Sequence, residues 1–269
     1  MGQLQKPGTD PVFPRLELSG PKLGLALETL VGRADELGGV EAFVEAMKAK
    51  CALFRASLDN ELTLKDFRTM CAHMATVRRR IGVYAQPDAF PSLRAHVEQL
   101  FSGDESPDAR IGRFCASFPD DRDHRWVRDL AAELLHYSDP ERYPLMTRWV
   151  WDARTNTGVL REIWHGEEVD HMTIDVPDCY ATFLGLRQEL AQYLQANGVY
   201  RDVLLYIDIL LAQVYAGYIG ERAGSYLRTD FATPEDPMLH TRRILGLEGV
   251  DASGKTKLKA ADGRAEIVP

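Results

Sequence analysis

Apolar residues recur at helical spacing along most of the chain. Leu23, Leu25, Leu27, Leu30 and Val31 form one broad face after Pro21, Gly38-Gly39 stops that helix, and Val40 to Leu58 restarts the pattern. Thr63, with Asp66 three residues on, reads as the cap of a third helix whose inner stripe is Phe67, Met70, Cys71, Met74 and Val77. Arg78, Arg79 and Arg80 are expected to close its last turn, where cations offset the negative end of the helix dipole; the sharper reading is an anion or nucleic-acid contact. Short helices follow over Pro91 to Phe101 and Ile111 to Phe118, with the acidic loop SGDESPD between them. Further on come Asp178 to Ala196, stopped by Asn197-Gly198, and a helix from Tyr200 to about Gly224 that is apolar nearly all round. Such a helix has no face to give to solvent, so it is expected to be buried at the centre. A last helix spans Pro234 to Leu245.

The periodicity fails in three places. Residues 1–20 hold three prolines and three glycines and suit an extended arm. After Trp164, HGEEVDHMTIDVPDCY reads as a loop or a short strand near Ile174. The polar tail 247–269 contains KLKAADGRAEIV, whose Asp-Gly turn between two runs is the signature of a marginal hairpin. The predicted fold is therefore all-α: one domain over 21–246 of roughly eight to ten helices around the 200–224 helix, an arm, a tail and a minor β-hairpin.

The stretch RWVRDLAAELLHYSDPERYPLMTRWVWDARTNTGVLREIW, Arg125 to Trp164, carries all four tryptophans. It predicts an amphipathic helix, a Ser-Asp-Pro break and a second helix begun by Pro144, which gives up no needed N–H in a first turn. Trp149 and Trp151 are two apart and cannot share a helix face, so at least one should line a cleft, an interface or a second packing surface. With Tyr143, Arg148, Asp152 and Arg154 they make the predicted binding region.

Composition narrows the function classes. A net charge of −8 disfavours nucleic-acid and anionic-membrane partners, which need clustered cations. The four cysteines are far apart and read as reduced thiols. The N-terminal residues lack a secretion signal and the most apolar helix carries Asp208 and Gln213, so a cytoplasmic location without a membrane span is expected.

Asp208 is the leading catalytic candidate, because a carboxylate in an apolar helix must be paired, hydrogen-bonded or neutral. Arg148 and Arg154 are its expected partners. Two E-x-x-H spacings, Glu133 to His136 and Glu168 to His171, each put a carboxylate and an imidazole on one helix face, as helical di-metal proteins do. The run AAELLHYSDPERYPLMTRWVW, residues 131–151, resembles a phrase of helical DNA-glycosylase-like proteins, in which a helix, a proline break and a second helix follow one another. That resemblance implies nucleic-acid chemistry, although the glycine-rich hairpin with which those proteins grip DNA is missing. Three functions stand as expectations: binding of a partner protein as an adaptor or assembly factor, a nucleobase- or nucleic-acid-directed enzyme using Asp208, and a carboxylate-histidine metalloprotein. No particular cofactor is implied.

Overall fold

The computed structural model describes residues 13–34, 38–166, 169–226, 237–247, 256–259 and 265–268. Among them lie ten helices: α1 Gly20–Ala34, α2 Gly39–Leu58, α3 Leu64–Ala72, α4 Phe90–Phe101, α5 Pro107–Ala116, α6 Trp126–Ser138, α7 Val159–Glu162, α8 Tyr180–Ala196, α9 Val203–Tyr226 and α10 Pro237–Ile244. Strands β1 Thr256–Lys259 and β2 Ala265–Val268 pair antiparallel, with Thr256 opposite Val268. The protein is all-α with a minor hairpin.

Helix α9 is the centre of the packing. It touches α1, α2, α7, α8 and α10, and Ile209, Leu210 and Ala212 on it are wholly inaccessible. Its two mid-helix polar residues, Asp208 and Gln213, are buried too, and Gln213 accepts a hydrogen bond of 2.8 Å from Thr241 of α10. No helix among the described residues is long and apolar enough to cross a membrane.

Local chemistry explains most boundaries. Thr63 accepts from the Asp66 N–H, the expected cap of α3. That helix nevertheless ends at Ala72, short of the arginines, because the His73 carbonyl is taken at 2.6 Å by the ammonium of Lys50 and the chain turns tightly from there. Arg78–Arg80 therefore lie in a turn, and Met74 and Val77 remain fully buried without being helical.

The helix expected after Pro144 is absent: residues 139–158 form an ordered loop. Prolines 140 and 144 push the residue before each away from helical dihedrals, and Asp139 sits at φ −150°. The loop's polar backbone is satisfied from outside. His136 bonds the Tyr143 carbonyl, Arg187 the Pro140 carbonyl, and Asp129 the Arg148 N–H. The loop closes on itself through Asp152 and Thr157, and the chain then returns to the middle of the loop, with the Val159 and Leu160 N–H groups donating to the Trp149 and Val150 carbonyls. Gly158 allows this return: its φ is +124°, and a Cβ there would stand 2.7 Å from the Val150 oxygen.

Candidate functional site

Helix α6 supplies the back wall of the region the sequence marks out. From Asp129 to Tyr137 every residue of it is buried, so it is a second interior helix. Three polar residues of that run, Asp129, Glu133 and His136, follow one another at spacings of four and three and share a stripe. Each has its own partner. Asp129 holds Arg148 through both carboxylate oxygens (2.7–3.2 Å) and also accepts its N–H at 2.9 Å. Glu133 meets Lys50 of α2 at 3.3 Å, and His136 Nε2 lies 3.0 Å from Asp208 Oδ2.

Asp208 is thus not held by an arginine: Arg148 belongs to Asp129, and the neighbour of Asp208 is His136. The pair lines a small cavity of about 20 Å³, walled by Pro140, Pro144, Leu145, Val150, Phe183 and Arg187 among others. Glu133 and His136 spend their polar atoms on different partners. Glu168 lies outside the described residues, and His171 is exposed in a single turn. Among the described residues no three His, Cys, Asp or Glu side chains come together to hold a metal.

Outside α6, where its first turns meet the C-terminal part of α5 and the 148–154 segment, there is a cleft of about 540 Å³. Arg125, Arg128, Arg148 and Arg154 line it together with Asp120, Asp121, Asp152 and Asp178. Arg125 is paired with the buried Asp152, and Arg128 with Asp178, whose carbonyl it also bonds at 2.8 Å. Arg148 is held from behind by Asp129. Arg154, exposed at the edge, has no partner among the described residues. His124 enters the same cleft with Nδ1 2.7 Å from Asp121 and Nε2 2.7 Å from the Tyr84 hydroxyl. Burial pushes the Cys115 thiol in the cleft up to about 11, so it stays protonated near neutrality and is a poor nucleophile.

Of the predicted binding residues, the structure brings Arg148, Asp152 and Arg154 into this cleft and leaves the aromatic ones in the core. Trp149 packs on Tyr215 with ring centres 5.6 Å apart, while Trp151 is fully buried on another side and donates to the Val176 carbonyl at 2.9 Å. The two tryptophans do use different surfaces, and both surfaces are internal. Tyr143 is buried, accepting from Arg110 at 3.1 Å. Sequence reasoning missed Arg125, Arg128, Asp178 and Lys50. For Lys50 a signal existed, since it continues the apolar stripe Phe43, Met47 and Phe54 at steps of three and four.

No family model matches this chain, and no curated protein or solved structure matches it either.

Proposed function

We propose that this chain is a binding protein whose recognition site is the arginine-lined cleft, and that its ligand is a compact molecule carrying a carboxylate or phosphate group. A volume of about 540 Å³ lies within the range of small-molecule sites. One observation carries the charge preference. Three of the four cleft arginines are fixed by aspartates, so the exposed guanidinium of Arg154, unpartnered among the described residues, is the cation left for an incoming anion, with the exposed and likewise unpartnered Asp120 the carboxylate that the ligand must avoid. The tied arginines add donors that stay in position before the ligand arrives.

The tryptophan cluster, one of the features behind the partner-protein reading, is internal, because Trp126, Trp149, Trp151 and Trp164 are all buried. The cavity beside Asp208, at about 20 Å³, is smaller than a nucleobase, which favours the cleft as the ligand site. The test is titration of the full chain with inorganic phosphate, citrate and acetate, followed by amide chemical shifts. Saturable shifts confined to the cleft, lost in Arg154→Ala with an unchanged melting temperature, are expected. Equal binding by Arg154→Ala, or shifts elsewhere, would overturn the reading.

A further inference from the structure

The cavity beside His136 and Asp208 is separate from the cleft and has polar chemistry of its own. Both side chains are more than nine-tenths buried, on α6 and α9. His136 Nδ1 lies 2.8 Å from the Tyr143 carbonyl oxygen, and because a carbonyl can only accept, Nδ1 carries the hydrogen. In the neutral ring Nε2 is then an acceptor, and so is the Asp208 carboxylate facing it. Although these atoms are 3.0 Å apart, the alignment is not that of a hydrogen bond, and each is left without a hydrogen-bond partner among the described residues. Two buried acceptors side by side call for one donor with two hydrogens.

We propose that this cavity binds one water molecule, which donates one hydrogen to Asp208 Oδ2 and the other to His136 Nε2. The volume of about 20 Å³ exceeds the roughly 10–15 Å³ that one water needs, and the two orphaned atoms give it the polar contacts that apolar cavities lack. The remaining walls are apolar (Leu145, Phe183, Ile207 and Leu211 among them) apart from Arg187, which donates to the Pro140 carbonyl, and the volume leaves no room for anything much larger. Pro140 and Leu204 line both this cavity and a surface groove of about 320 Å³ beside Lys48 and Arg55, so exchange with solvent would pass between them. The water gives the buried pair a route for proton exchange that a dry contact would deny it.

Oxygen-17 relaxation dispersion on the full chain counts long-lived internal waters. Val150→Ile adds a methyl-sized group to the cavity wall and should lower the count by one while circular dichroism stays native. Leu204→Ala should keep the count and shorten the residence time. Nitrogen-15 shifts of the His136 ring in the unaltered protein should report a neutral, Nδ1-protonated imidazole. An unchanged count in folded Val150→Ile, or imidazolium shifts marking a direct ionic contact, would overturn the proposal. Should Val150→Ile fail to fold, the ring shifts alone decide.

Discussion

Replacing Glu133 by Gln asks how a charge pair sealed inside the protein is balanced. Lys50 reaches Glu133 at 3.3 Å but also donates to the carbonyls of His73 (2.6 Å) and Leu245 (2.8 Å), and its ammonium sits 3.6 Å from the centre of the Tyr137 ring. The cation therefore keeps two carbonyls and a ring face without the carboxylate, although burial lowers the Lys50 pKa and Glu133 is the main group opposing that. Burial dominates at Glu133 and raises its pKa from 4.5 to about 7; Lys50 opposes that rise, and Asp129 one turn away adds to it. Between pH 4.5 and 7 the folded chain thus keeps a proton that the unfolded chain has released, so this group makes stability fall as pH rises through that window. At about 1.4 kcal/mol per pH unit the fall is about 3 kcal/mol. His73 acts in the opposite sense. Burial, with Lys50 next, lowers its pKa from 6.5 to about 4, so its contribution is present above 6.5 and is lost as pH falls towards 4. The two slopes nearly cancel in the raw profile, and only the difference between variant and parent isolates Glu133. Urea denaturation from pH 4.5 to 8 should show Glu133→Gln close to the parent at the acid end and about 3 kcal/mol more stable, relative to it, above pH 7. A constant deficit of about 3–5 kcal/mol at every pH would refute this reasoning, since it would mean an ionised Glu133 fully matched by Lys50.

Two further outcomes follow from the same interior. Arg148→Met strands the buried Asp129 and should cost about 3–5 kcal/mol, of which Asp129→Asn in the same chain recovers part; simple additivity in thermal melts would show that the pair is not coupled. Gly246→Ala would place a Cβ 1.7 Å from the His73 oxygen at a φ of +71°, so a loss of at least about 2 kcal/mol and a Tm several degrees lower are expected; an unchanged melt would contradict the docking of residues 245–247 on α3.

Helices with a one-sided stripe or an all-apolar surface were legible in the sequence, because periodicity reports burial directly: α2, α4, α8 and α9 start and stop within a few residues of their predicted bounds. Periodicity misled where polar residues are buried. Asp129, Glu133 and His136 look like the wet face of an amphipathic helix, yet each meets a partner brought from a distant element: Arg148, Lys50 and Asp208. Such pairing leaves no mark at the spacing of either residue alone. The break at 138–140 is legible, but the pattern after Pro144 mimics a helix for a related reason: the loop's carbonyl and N–H groups are satisfied by side chains outside it. Three cleft residues, Arg148, Asp152 and Arg154, were legible as charges among tryptophans, whereas Arg125 and Arg128 read as ordinary helix-surface cations.

The 148–154 segment is stitched at both ends to its own neighbours, with Trp149 anchored on α9 and Trp151 on the chain near Val176. Its charged side chains consequently share one rigid support, and the ordering that a floppy loop would undergo on capture has already happened during folding. If the cleft takes an anion as proposed, association should proceed at the pace of diffusion and orientation, without a slow closing of the loop, and only the exposed Arg154 side chain is left to order on capture.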